Sequence, residues 1–235
     1  MKKVLFCILA TVAAFAANAQ ERRNDWNYIG TEGIVSKDSI TRGEYTLIFI
    51  NKKEGFSDTL KQRMIETFFT VYPVQAKTYN PNTRKKVIFL VDPAYDGVAA
   101  TAGSIIRYNP AWFDKHPGDI DVVTHEAMHI VQSYRRGGPG WVTEGIADYV
   151  RYTMGVDNAG AGWKLTPFSA SQNYDNAYRI TARFFAWIEK NVTPGFVVKL
   201  NEAMREGKYN DGIWKEWTGK DVKELWSAYA ANPVI

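Results

Sequence analysis

Apolar residues along this chain follow two rhythms, short runs in the first half and three-to-four-residue spacing in the second. Runs at Tyr45 to Ile50, Lys86 to Val91 and Gly103 to Tyr108 predict three strands, with Asn80-Pro81-Asn82 a turn before the second. Between the first two, Asp58 to Tyr72 has the spacing of an amphipathic helix. Residues Tyr28 to Ser39 show little periodicity and read as an arm or as an additional edge strand. From Asp119 to Tyr134, Ile120, Val123, Ala127, Ile130, Val131 and Tyr134 share one helical face, with His125, His129 and Gln132 nearly opposite. Pro117-Gly118-Asp119 supplies a start, with Asp119 as N-cap, and Gly137-Gly138-Pro139-Gly140 a stop beyond Arg136, which allows about five turns. Trp141 to Tyr149 then predicts a second helix folding back on the first, and Ile180 to Ile188 a further apolar helix. The expected fold is α+β: a small mixed N-terminal sheet packed on the histidine-bearing helix, then a mainly helical C-terminal part.

The N-terminus changes this picture by removing residues from the fold. Lys2 and Lys3, the apolar stretch Val4 to Ala16 and Ala17-Asn18-Ala19 read as a signal peptide cleaved after Ala19, too short for a conventional transmembrane helix. Residues 20–235 are then one domain, secreted or periplasmic and without stable membrane insertion. The single cysteine, Cys7, lies in the signal, so the mature chain is expected to carry no disulfide and to depend on its own core. Trp214, Trp217 and Trp226, at helical spacing, are assigned to that core rather than to a flat carbohydrate platform. The whole chain has 29 basic and 25 acidic side chains; without Lys2 and Lys3 the balance is 27 to 25, a net of +2. No nucleic acid partner is expected, and Arg84-Lys85-Lys86 reads as the charged lead-in to a buried strand.

Two of the three histidines fall in His125-Glu126-Ala127-Met128-His129. On a helix this spacing puts both imidazoles on one face, where they can share a metal ion, with the Glu126 carboxylate beside it. Catalytic zinc usually takes three side chains and keeps a fourth position open. A short turn lets Glu144, early in the second helix, approach the imidazoles, with Gly145 permitting close packing; His125, His129 and Glu144 are the expected metal set. Asp148, one turn on, is placed to accept the free ring N–H of a ligand histidine, and Gln132 can orient a ligand or a water. His116, before Pro117, reads as a surface loop residue rather than a fourth ligand.

Three stretches carry a resemblance: His125 to Gln132 (HEAMHIVQ), Glu144 to Arg151 (EGIADYVR) and Tyr178 to Phe184 (YRITARF). They resemble the basic secretory protein family, secreted zinc metallopeptidases known from plants with bacterial relatives, within the gluzincin assemblage. The likeness extends upstream through Thr67-Phe68-Phe69, Tyr72-Pro73 and Asp96 to Ser104, and downstream through Leu200 to Arg205 and Leu225 to Tyr229, so it covers most of the mature chain. It implies a zincin-like fold, Zn2+ on His125, His129 and Glu144, and Glu126 as catalytic carboxylate. It also implies that the Ile180 to Ile188 helix lies beside the zinc, which makes Tyr178 the expected oxyanion donor and Tyr174 its reserve. The strand with Ser104, Ile105 and Ile106 is then expected to line the cleft and pair with an extended peptide. The chain departs from the resemblance at Arg179, where an acidic residue is more usual.

The expected activity is hydrolysis of a peptide or protein substrate by a monomer, with Glu126 as general base. A competing reading is a catalytically silent secreted protein that keeps the metal and binds envelope glycan or a host protein; a purely structural zinc site has no need of Glu126. A zinc hydrolase acting on a non-peptide amide is a third.

Overall fold

A computed structural model describes residues 29–134 and 138–235. The signal segment, its cleavage site after Ala19, Cys7 and Tyr28 lie outside the described residues. Five strands, β1 (Ser36–Arg42), β2 (Tyr45–Asn51), β3 (Lys86–Val91), β4 (Ala99–Ala102) and β5 (Ile105–Tyr108), form one sheet in the order β1-β2-β3-β5-β4. β2, β3 and β5 run parallel, while β1 and β4 pair antiparallel at the two edges. Eight helices are described: α1 (Asp58–Tyr79), α2 (Pro110–Lys115), α3 (Val122–Gln132), α4 (Gly140–Met154), α5 (Tyr178–Asn191), α6 (Phe196–Arg205), α7 (Gly212–Thr218) and α8 (Val222–Ala231). The architecture is α+β, with the sheet in the first half and helices filling the second. No described helix is long and apolar enough to cross a membrane.

Two boundaries differ from the sequence pattern for physical reasons. α1 begins at its Ser57 cap, whose hydroxyl accepts from Leu60 N, and continues seven residues beyond Tyr72 through Pro73. Burial of Ala76 and Tyr79 on the same apolar face offsets the backbone hydrogen bond that proline removes. The expected strand Gly103 to Tyr108 is instead the second half of a hairpin. Ala99–Ala102 forms β4, and Gly103, at φ +61°, makes the left-handed turn into β5. A run of small residues carries little strand signal alone; its pairing with β5 holds it in the sheet. Of the segment Tyr28 to Ser39, residues 36–39 open the edge strand β1.

The core lies between the sheet and α1. Phe89 on β3 is its hub, with ring centroids 5.4 Å from Phe68, 5.1 Å from Tyr108 and 6.1 Å from Phe49, and all four side chains are fully buried. Phe89→Ala is expected to cost about 3–5 kcal/mol and, for a domain of this size, to lower Tm by roughly 10 °C; thermal denaturation monitored by circular dichroism checks it. A second aromatic group closes the helical half. Trp214 is fully buried, while Trp217 and Trp226 are partly buried against the same core.

α1 and the turn that follows it also fix α3, the helix that bears the histidines. Asn80 Nδ2 donates to Val131 O at 2.8 Å, Thr83 Oγ1 to Ile130 O at 3.2 Å, and Gln75 Nε2 to Thr124 O at 2.8 Å. The first two satisfy carbonyls that a helix C-terminus leaves without partners.

Candidate metal centre

α3 is shorter than the pattern implies, 11 residues rather than about five turns. It starts after Asp121, not Asp119, and neither side chain caps it, because both carboxylates are engaged elsewhere. The buried Asp121 carboxylate accepts from Thr124 Oγ1 at 2.6 Å and from the backbone N–H groups of Val156 (2.8 Å) and Asp157 (2.6 Å). Asp119 accepts from Trp112 Nε1 at 2.9 Å and from the Arg151 guanidinium. The helix ends where Ser133 turns left-handed at φ 44°.

Its polar face is covered rather than solvated. α4 packs across it, and on the other side of α4 Gly145 lets α5 come close: a Cβ there would fall 2.3 Å from Thr181 Cγ2 on α5. His125 is only 8% exposed and Gln132 only 1%. The structure brings His125, His129 and Glu144 together. His125 Nε2 lies 3.1 Å from His129 Nε2 and 3.2 Å from Glu144 Oε2, and His129 Nε2 lies 3.5 Å from the same oxygen. Ligand atoms about 2.0–2.1 Å from a tetrahedral zinc ion stand about 3.3–3.4 Å from one another. The triangle therefore has the size of one face of a zinc coordination sphere, and its donors are the types zinc takes. It is the cluster of metal-ligating type found among the described residues.

Groups behind the rings aim them. His125 Nδ1 is 2.7 Å from Asp148 Oδ1. His129 Nδ1 is 2.7 Å from Gln132 Oε1, whose amide nitrogen donates to Thr143 O at 2.9 Å. With the Gln132 oxygen facing one ring and the Asp148 carboxylate, which only accepts, facing the other, both Nδ1 atoms carry protons, and each Nε2, turned toward Glu144, is the atom left to ligate a metal. Burial pulls the His125 imidazolium down, but hydrogen bonds to Asp148 and Glu144 and the charge of Glu126 outweigh it and raise its pKa to about 10. Burial also acts to raise Glu144, yet the two imidazoles hold it below the ordinary carboxylate range.

Glu126 is oriented by Thr101 on β4, whose hydroxyl lies 2.7 Å from Glu126 Oε2 and 3.0 Å from its carbonyl oxygen. Sequence reading missed Thr101, 25 residues away in a run of alanines; the only signal was a lone hydroxyl in that run.

Tyr178, the first residue of α5, stacks on His125 with ring centroids 6.2 Å apart and 15° between planes. Its φ of 47° follows an Ala177 at φ 63°, two left-handed non-glycine residues in succession. Partial burial and then the charges of Glu144, Asp148 and Glu126 raise its pKa, so at neutral pH it is a phenol able to donate. Tyr174 packs against Trp141 and Trp226 and is not among the residues lining the cleft. His116 is exposed at the cleft rim, stacked on Trp112.

Ser104, Ile105 and Ile106 do not take the position expected of them. β5 is hydrogen-bonded on both sides, to β3 and β4, and Ile105 and Ile106 are buried. A strand without a free edge cannot pair with a peptide. The edge belongs to β4, whose Ala99, Ala100 and Thr101 line the cleft of about 1360 Å³ that also holds the two histidines, Glu126 and Glu144.

The fold is that of zinc metallopeptidases. A two-domain M1 zinc metallopeptidase bound to L-tryptophan superposes with a TM-score of 0.52 at 13% identity, over 85% of this chain and 52% of that one. The enzyme of Deinococcus radiodurans bound to a Tyr-Ser-Ala substrate gives 0.52 at 12% identity, over 85% and 52%. The chain thus spans about half the length of these structures. No curated protein matches it. Residues 36–229 match the BSP family, described as peptidase of plants and bacteria, and the chain belongs to that family.

Proposed function

We propose that the protein is a secreted, monomeric zinc peptidase whose metal is held by His125, His129 and Glu144 and whose general base is Glu126. The observation that carries this is the triangle of 3.1, 3.2 and 3.5 Å between the three donor atoms, open to the cleft beside Glu126. Family membership and the fold agree with it. His116 is not in the donor cluster, so the described residues supply three ligands and no fourth to close the site.

Zinc in this set supplies a Lewis acid for a water and for the carbonyl oxygen of the scissile bond. Glu126, fixed by Thr101, takes a proton from the attacking water and delivers it to the leaving amine. Tyr178, a neutral phenol at the rim, donates to the carbonyl oxygen as negative charge develops there. Asp148 and Gln132 keep the imidazoles in the ligating tautomer. A peptide lies extended along β4 and adds its backbone to that edge. Cleavage of the signal after Ala19 releases the mature chain.

The test is metal content by mass spectrometry on protein purified without chelator, together with digestion of a mixed peptide library. The expected result is about one zinc per chain and library cleavage that a chelator stops and added zinc restores. No stoichiometric metal in active protein would overturn the zinc reading, and full metal with an uncleaved library would overturn the peptidase reading.

A further inference from the structure

The three ligands occupy one part of the cleft. Toward the N-terminal end of α3, its lining passes Val122, one turn before Glu126, and reaches two indoles, Trp112 and Trp163. These come from different segments yet attach to the same pair of charges. Trp112 Nε1 donates to one Asp119 oxygen at 2.9 Å, Arg151 binds the other, and the Arg151 guanidinium lies 4.5 Å from the centre of the Trp163 ring. The His116 ring lies over Trp112, with centroids 4.0 Å apart and 32° between planes.

The segment carrying Trp163 is tied down. Asp121 accepts from the backbone at Val156 and Asp157, Asp157 accepts from Gly160 N, Asn158 bridges the Arg151 side chain and backbone, and Trp163 N donates to Asn158 O. Gly118 and Gly160 let this segment pass close to the start of α3, since a Cβ on Gly118 would stand 2.7 Å from Gly160 O. The proposed catalytic chemistry uses none of these residues.

We propose that this recess is a specificity pocket for an aromatic side chain of the substrate, next to the scissile bond. This deepens the peptidase reading and rests on it. Trp112, His116 and Trp163 line the recess with flat apolar surface, one face of Trp163 being taken by Arg151 and one of Trp112 by His116, and aromatic rings pack on such surface in offset or edge-on contact. Asp119 and Arg151 neutralise each other, so a charged substrate side chain set against this pair meets no free counter-charge on it and loses hydration without return. The close backbone packing of Gly118 on Gly160 and Ala161 closes the recess at its end, and a small substrate residue makes fewer contacts with its walls than an aromatic one.

Binding is measured by calorimetry on zinc-loaded Glu126→Gln, and on further variants made in it, so that the probes stay intact, while cleavage of the same probes is followed with the native protein. The probes are blocked tripeptides that differ at one position, in turn, among phenylalanine, leucine, alanine, glutamate and lysine. Phenylalanine at one position is expected to bind at least tenfold more tightly than alanine there, and both charged residues no better than alanine. Trp163→Ala is expected to remove that preference while binding of the alanine peptide stays within about twofold. Ala161→Leu, which fills the lining without removing a wall, serves if Trp163→Ala unfolds, and is expected to invert the order of phenylalanine and alanine. Equal affinities across the series, tightest binding of a charged peptide, or an aromatic preference untouched in both variants would overturn the pocket. An aromatic preference with no cleavage of any peptide would uphold it and overturn the peptidase reading instead.

Discussion

Glu126→Gln is expected to lower kcat by about 10²–10⁴-fold while leaving metal content and Tm unchanged. The amide keeps the shape of the carboxylate and can still accept from Thr101, so folding has little reason to respond. It cannot take a proton from water near neutral pH. The three ligand donors belong to other residues, so the variant separates proton transfer from metal binding. The measurement is steady-state hydrolysis of one library peptide, with zinc stoichiometry and a melting curve on the same preparations. Activity within tenfold of the native protein would remove Glu126 from the chemistry, and loss of zinc would place it among the ligands.

The second large effect is the pH dependence of metal affinity. In the metal-free protein His125 titrates at about 10, raised from 6.5, because Asp148 and Glu144 favour its charged form more than burial opposes it. A raised pKa stabilises the fold fully below about 6.5, and the contribution is lost as pH rises through about 10. Metal needs the neutral imidazole, so binding below pH 10 must expel that proton. Affinity is therefore expected to rise roughly tenfold per pH unit between pH 7 and 9, with about one proton released per zinc. Calorimetry in two buffers of different ionisation enthalpy counts that proton directly. Affinity that is flat across this range would mean that His125 is already neutral. On the proposed zinc reading, Tm is also expected to climb with zinc concentration, more steeply at pH 8 than at pH 7.

What could be read from the sequence follows how local each signal is. The i, i+4 spacing of His125 and His129 depends only on helix geometry, and the apolar runs of β2 and β3 depend only on burial, so both features were legible. Glu144 and Asp148 followed because a short turn leaves a returning helix little freedom. The start of α3 was misplaced by two residues because Asp119 carries an N-cap signal in sequence. Trp112, seven residues before it, and Arg151, 32 residues after it, engage the Asp119 carboxylate instead. β4 was illegible since alanines acquire strand geometry only from a partner, and the assignment of the free edge to Ser104 to Ile106 failed with it. Thr101 and Trp163 matter through what they touch 25 and 12 residues away, Glu126 and Arg151, which no window on the sequence contains.

The hairpin imposes a length standard on the site. Ala99 to Ala102 alternates faces residue by residue, and its one hydroxyl, that of Thr101, meets Glu126. Thr101 is flanked by Ala100 and Ala102, which have no donor. Lengthening the Gly103-Ser104 turn by a single residue so that β4 slips one place against β5 would turn Thr101 to the opposite face and leave the Glu126 carboxylate facing a methyl group. Indels elsewhere on the surface cost the protein little, but the two-residue turn is a ruler, and relatives that keep a hydroxyl for this carboxylate must keep its length or move the hydroxyl by one position.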